Sequence, residues 1–361
     1  MGKSAFLNPE VMENNPALYV LDQFSIEKKT YHLKPIHQGF INDTLLVFEG
    51  KDPIYILQRI NTTVFPNVDG IMNNVHLALG HLKDVDYQSI SLIKSQSGDP
   101  YFKTEDGCWR LMTFIDDSVA YDNTTNTEIA FEAGRIIGKF HLLLQDIPTD
   151  QFVDTIPDFH NLSLREKQFR EAYQKADPKL IAKASQAIAF VEDSLARLKE
   201  WDVEGLPLRV CHNDTKLNNI LFTKSTNKAL CLIDLDTLMK GYFHYDFGDA
   251  IRTVANTAPE DEQDHQKITF EKHLFQAFIE GLAANGPFLT EKEKEVLPYG
   301  AILMPFLHGI RALTDYLNGN LYYRVAYEDQ NLDRSLSLFD FTKKAMDETA
   351  TMREIIQNSG L

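Results

Sequence analysis

The sequence predicts an α+β fold in which a small antiparallel sheet is followed by a larger, mainly helical region. Three observations predict it. Up to about residue 117 the apolar residues come in short, β-rich runs separated by turn residues; beyond that point they recur at helical spacing; and one strand-rich island, Leu208 to Ile233, interrupts the helices. With 361 residues and 43% apolar content, the chain can build two domains with real cores, drawn as 1–117 and 118–361.

In the first region Tyr31 to Ile36, Thr44 to Phe48, Ile54 to Ile60 and Trp109 to Ile115 read as strands. One helix interrupts them over Val68 to Leu82, with Val68, Ile71, Met72, Val75 and Leu79 at helical spacing. Asp116-Asp117-Ser118 reads as a connection. After it, Asn126 to Gln145 places Ile129, Ala133, Ile136, Ile137, Phe140 and Leu144 on one face, with a start at Thr127. Lys179 to Lys199, Phe270 to Asn285 and Glu291 to Asn318 read as three further helices.

Composition excludes some partners. A formal charge of −16 argues against the broad basic surface that binds a nucleic-acid backbone or an anionic membrane. Cys108, Cys211 and Cys231 form no Cys-x-x-Cys pair, a pattern of buried free thiols in a reducing compartment. The stretch from Met1 lacks a long apolar region, and the longest apolar run, around Ala301 to Leu307, is too short to span a bilayer. These features predict a cytoplasmic chain and say nothing of its oligomeric state.

The island carries the chemistry. Two short apolar strands flank a polar loop, His212-Asn213-Asp214-Thr215-Lys216-Leu217-Asn218-Asn219, and the second strand returns through a turn to deliver Asp234. Phosphoryl transfer needs such an arrangement: a carboxylate to take the proton of the attacking hydroxyl, and oxygen ligands to hold magnesium against the phosphates. The protein-kinase template sets an Asp, four residues and an Asn, then an Asp at the end of the next hairpin. Asp214 and Asn219 have that spacing, and Asp234 follows Asp214 by 20 residues. Lys216 sits where a cation reaches the γ-phosphate. The bland alternative is a buried polar loop in which His212, Asp214 and Asn219 satisfy backbone donors, but it has no need of a second acid on a returning strand. On an extended backbone Asp236 would share a face with Asp234, as a second metal ligand or as a structural partner of the loop. Asp246-Phe247-Gly248 offers a tempting metal-binding tripeptide. It lies 32 residues beyond Asp214 and follows a polar turn rather than an apolar strand, so Asp246 is expected instead to brace the loop through its backbone N–H groups.

These strings resemble the aminoglycoside phosphotransferase and choline kinase superfamily, a two-lobed, protein-kinase-like fold. Asn213 through Leu221, and Ile233-Asp234-Leu235-Asp236-Thr237, look most like the N-acetylhexosamine 1-kinases. Tyr55-Ile56-Leu57-Gln58, Asn61-Thr62, Phe65-Pro66, Trp109-Arg110, Phe114-Ile115, and Arg311 with Asp315-Tyr316-Leu317 extend the likeness over most of the chain. The resemblance implies transfer of the γ-phosphoryl of ATP to the anomeric hydroxyl of an N-acetylhexosamine. It makes Asp214 the base and Asn219 and Asp234 magnesium ligands, with Arg311 and Tyr322 holding the sugar.

The first region must then grip ATP. His37 to Thr44 lies between two strands; Gly39 permits a tight turn, and Asn42 and Thr44 with nearby backbone N–H groups face the phosphates. Related sugar kinases often carry His where this chain has Phe40, a change that removes a polar contact near the acceptor. At the place of the usual lysine stands Gln58, a neutral hydrogen-bond donor, and the N-acetylhexosamine 1-kinases also resemble this strand without a lysine. Phe114 and Ile115 read as the connection whose backbone meets adenine. Alternatives are a kinase of homoserine, an amino alcohol or an aminoglycoside, for which the acidic run Glu260 to Asp264 would receive the cation, and a nucleotide-binding pseudokinase. Intact Asp214, Lys216, Asn219 and Asp234 argue against the last.

Overall fold

The β-rich runs of the first region pair into one sheet. In the computed structural model, which describes residues 16–36 and 41–361, the chain forms two compact units. Gly39 and Phe40 fall outside the described residues, and with them the expected phosphate turn and acceptor contact. The smaller unit runs to Leu79 and adds Ile90–Asp116. It opens with helix α1 (Pro16–Leu21), followed by strands β1 (Tyr31–Ile36), β2 (Asp43–Glu49) and β3 (Asp52–Ile60). Helix α2 (Val68–His81) and strands β4 (Leu92–Ile93), β5 (Phe102–Thr104) and β6 (Gly107–Thr113) complete it. The strands pair antiparallel in the order β1-β2-β3-β6-β4, with β5 also on β6. Alternation explains the burial: Val47, Leu57 and Leu111 turn to one face, where Val20, Leu21 and Phe24 cover them. Gly50, at φ 61°, makes the two-residue turn between β2 and β3 in a backbone region glycine enters without steric cost.

The larger unit holds Gly80–Ser89 and Asp117–Leu361. The excursion Gly80–Ser89 joins it through specific bonds. Gln88 N donates to Leu230 O at 2.9 Å, Leu232 N donates to the Tyr87 hydroxyl at 3.1 Å, and Lys228 pairs with Asp86. Its first elements are strand β7 (Ser118–Val119) and helices α3 (Thr127–Leu144), α4 (Leu162–Lys175), α5 (Pro178–Lys183) and α6 (Ser185–Lys199). α3 starts at Thr127, as expected, and Asn126 caps it, its side chain accepting from Glu128 N. The single helix expected over 179–199 breaks at Ala184, which caps α5 at φ −85° and ψ 5°.

Strands β8 (Arg209–Cys211), β9 (Ile220–Thr223), β10 (Ala229–Leu232) and β11 (Met239–Gly241) form the island. With β7 they make two small sheets, β10-β9-β7 and β11-β8. Helices α7 (Phe243–Val254), α8 (Lys272–Ala283), α9 (Glu291–Glu295), α10 (Leu297–Leu317), α11 (Gln330–Asp347) and α12 (Thr349–Asn358) follow. The helix expected over 291–318 is two, because Pro298 suits the first turn of a new helix and lacks the N–H to continue an old one. The core lies where α3 packs on α8 and where α10 packs on α7, α11 and α4, around Phe247, Phe275, Phe278, Phe306 and Phe341. No described helix is long and apolar enough to cross a membrane.

Candidate active site

The loop after β8 is fixed before any ligand arrives. Asp246, fully buried in the first turn of α7, accepts from His212 N at 2.8 Å and Asn213 N at 2.6 Å. His141 of α3 adds a third bond to the same carboxylate at 2.9 Å, and the Thr215 hydroxyl donates to the Asp246 carbonyl at 2.5 Å. Asn213 sits in the left-handed region at φ 63°, where its side-chain amide faces the carbonyls of Cys211, Thr237 and Met239 and stitches β8 to β11. His212 receives Asp214 N at Nδ1, so its Nε2–H donates to Ile233 O at 2.9 Å. His212 thereby ties the loop to the end of β10.

On this frame Asp214 is held from two sides. Asn219 donates its amide to Asp214 Oδ2 and to the Asp214 carbonyl, both at 2.8 Å, and Lys216 Nζ lies 3.0 Å from Oδ2. Burial opposes the charge of Lys216, but Asp214 and Asp234 outweigh it and hold the ammonium above its usual range. Asp234 is left-handed (φ 61°) and opens a 3-10 turn, Leu235–Thr237. The extended backbone expected from Asp234 to Asp236 is therefore absent: the two carboxylates do not share a strand face, and Asp236 is buried.

In the smaller unit Thr44 and Gln58 face each other across β2 and β3, and Gln58 Nε2 donates to the Thr44 hydroxyl at 3.0 Å. The Gln58 carbonyl accepts from buried Arg110 on β6 at 2.9 Å, placing one strand away the positive charge that Gln58 lacks. Nothing in the β3 pattern announces it. Asn42 accepts from Asn61 N at 2.9 Å, anchoring the end of β3. Phe114 N donates to Ile54 O, and Ile115 is buried just after β6.

Beside the loop after β8 the larger unit gathers cations and rings. His160 faces the Asn213 carbonyl at 3.2 Å, and the Arg311 guanidinium lies 5.0 Å over the Phe159 ring. Arg165 bonds the carbonyls of Asp158 and Phe159. Burial, then the charge of Arg311, pushes Arg165 down to about 10. Tyr322 is exposed and within electrostatic reach of Arg165, its N–H bonded to Asp315.

A family model described as "APH: Phosphotransferase enzyme family" matches residues 32–284. The chain belongs to the APH phosphotransferase enzyme family. Solved structures agree on the fold. A microcompartment-associated aminopropanol kinase is similar at TM-score 0.63 and 16% identity, covering 93% of this chain and 98% of its own. A choline kinase from Cryptosporidium parvum Iowa II is similar at TM-score 0.61 and 15% identity, over 93% and 97%. A spectinomycin phosphotransferase in complex with ADP and spectinomycin matches at TM-score 0.59 and 14% identity, over 99% of both chains. The α+β architecture, a small antiparallel sheet and a larger helical part, is that of these kinases.

Two charged groupings of this phosphotransferase have structural explanations. His141, Cys211 and Asp246 lie close enough to suggest a metal site, but both Asp246 oxygens are taken by N–H donors, and burial pushes the Cys211 thiol well above its usual range. The acidic run is also spoken for. Glu260 is paired with Arg252 and Arg334, Asp261 accepts from Gln330, and Glu262 and Asp264 lie near Lys267.

Proposed function

We propose that this chain transfers the γ-phosphoryl group of ATP to the anomeric hydroxyl of an N-acetylhexosamine, N-acetylglucosamine or N-acetylgalactosamine, by direct in-line attack. The observation that carries the reading is Asp214, oriented by Asn219 and Lys216 on a loop whose backbone is bonded to Asp246. As the acceptor oxygen bonds to the γ-phosphorus, its proton passes to the Asp214 carboxylate and the bond to the ADP oxygen breaks, with no covalent phosphoenzyme. Lys216 offsets charge on the transferred group. The donor set suits a hard cation: Asn219 turns its nitrogen to Asp214, leaving its oxygen for another ligand, and Asp234 is close enough to act on Lys216. Magnesium held there would neutralise the phosphate oxygens and hold them in line. Thr44 and Gln58 would meet the phosphates, with Arg110 behind them, and Phe114 and Ile115 the adenine.

The acceptor side favours a neutral polyol over an amine. The aminopropanol and choline kinases are named for amine substrates. Here Asp249 and Glu260 are neutralised by Arg252 and Arg334, while Arg311 has no carboxylate partner among the described residues. Arg311 and Tyr322 would bond sugar oxygens. The test is ADP release with N-acetylglucosamine, N-acetylgalactosamine, choline and homoserine, for the wild type and Asp214→Asn. We expect a hexosamine to stimulate turnover and the variant to lose about a thousandfold or more in kcat, the combined size of acid–base and positioning effects. Stimulation by choline or homoserine alone, or full activity in Asp214→Asn, overturns the reading.

A further inference from the structure

Helix α10 is buried along almost its whole length. Of the 21 residues from Leu297 to Leu317, only His308, Arg311 and Thr314 are not buried. They are spaced i, i+3 and i+6, so they share one face, and the helix opens in a single stripe. Thr314 satisfies itself by donating to Ile310 O at 2.7 Å. His308 and Arg311 are the two polar groups left for something else.

That stripe opens beside the catalytic loop. Arg311 stacks on Phe159, whose neighbour His160 faces the carbonyl of Asn213, the residue before Asp214. His308 places Nε2 3.1 Å from Oδ1 of Asp249, a fully buried carboxylate one turn along α7 from Asp246. Asp249 is in turn bonded by Arg252 at 2.6 Å, and Arg252 pairs with Glu260. A carboxylate at Nε2 selects the imidazole tautomer with its proton on Nε2. The opposite nitrogen, Nδ1, is then a lone-pair acceptor, without a hydrogen-bond partner among the described residues and not closed off from solvent. Burial, followed by the charge of Arg252, pushes His308 down to about 4, so it stays neutral and Nδ1 remains an acceptor near pH 7.

One face thus presents a fixed acceptor and, three residues on, a fixed fork of donors. An acetamido group has the complementary pair: an N–H to give and a carbonyl oxygen to receive. We infer that His308 is a specificity-determining residue of the acceptor site, its Nδ1 accepting from the acetamido N–H of the sugar while Arg311 donates to the carbonyl oxygen of the same group. Asp249 acts through His308 as a positioning residue. The inference rests on the hexosamine 1-kinase reading and deepens it, because it names the group by which an N-acetylhexosamine is told from the parent hexose.

The experiment compares kcat/KM for N-acetylglucosamine and for glucose, together with KM for ATP, in the wild type and in His308→Leu, His308→Asn and His308→Gln. Asn places an oxygen where Nδ1 stands, whereas Gln carries its amide out toward Asp249. We expect His308→Leu and His308→Gln to lower the N-acetylglucosamine preference about tenfold, the size of one hydrogen bond lost in a desolvated site, with KM for ATP within about twofold of wild type. His308→Asn should retain most of the preference. Melting curves identify any variant that fails to fold, and if His308→Leu fails, the Asn and Gln pair decides. An unchanged preference in a folded His308→Leu, or equal behaviour of Asn and Gln, overturns the inference while leaving the kinase reading intact. A wild type inactive on every hexosamine removes both.

Discussion

Asp246 concentrates more of the site than any group that would touch substrate. Its carboxylate accepts two loop amides and His141, and its carbonyl takes the Thr215 hydroxyl, all out of water. Replacing it with Ala leaves two amides and an imidazole N–H buried without acceptors, at about 1–3 kcal/mol each. Asp246→Ala should therefore destabilise the fold by about 3–5 kcal/mol and lower kcat far more than KM for ATP, since the loop that orients Asp214 loses its anchor. Asp246→Asn keeps the volume but turns an NH2 toward a donor, and should fall between. Urea unfolding with steady-state kinetics checks both. A stable, fully active Asp246→Ala would show that the loop holds its conformation without the brace.

At the scale of elements, the site depends on helices that approach closer than side chains allow. A Cβ at Gly281 of α8 would lie 1.9 Å from the Phe131 carbonyl of α3, and one at Gly134 of α3 would lie 2.0 Å from the Phe278 carbonyl of α8. Both contacts are to backbone, so no rotamer change relieves them. α3 carries His141 to Asp246, so this crossing supports the loop. Gly281→Ala should cost about 1–3 kcal/mol, the range for overpacked cores. Gly80→Ala, near the end of α2 with nothing within 4 Å, should instead stabilise by about 0.5–1 kcal/mol through helix propensity. Denaturation midpoints of the two variants should move in opposite directions, and movement in the same direction would refute the close-approach account. The same scale explains what the sequence makes legible. Asp214, Asn219 and Asp234 lie on one loop and one hairpin, where spacing determines geometry. His141, His160 and Asp249 reach the loop's surroundings from distant segments, as Arg110 reaches Gln58 in the smaller unit, and spacing carries no such information. His141 and His308 left a trace, each a lone polar residue in an apolar helical run. The break at Ala184 left none, because neither Gly nor Pro marks it.

Across the larger unit, buried histidines make stability depend on pH. Burial pushes His160 and His244 down to about 3 and His308 to about 4. In the unfolded chain each takes up a proton near pH 6.5, so between that value and its folded value the unfolded state binds more protons. Stability therefore rises with pH across this window: it is fully present above about 6.5 and is lost as pH falls toward 4. Each histidine contributes at most about 1.4 kcal/mol per pH unit. Carboxylates such as Glu293, held below its usual range by Arg209 and Thr290 against the opposing effect of burial, enter mainly below about pH 4.5. The interval from 6.5 to 5 thus isolates the histidines. Urea midpoints should be flat from pH 8 to 7 and fall steadily from 6.5 to 5. His244 is the cleanest probe, because its ring stacks on Tyr242 and packs against Tyr245 and Tyr299, and its Nδ1 is buried without a partner. His244→Phe keeps the ring and removes the titration, so its slope over the same interval should be shallower by about one histidine's share. A wild type flat from 6.5 to 5, or an unaltered slope in His244→Phe, would mean that these imidazoles take up protons in the fold as readily as in the unfolded chain.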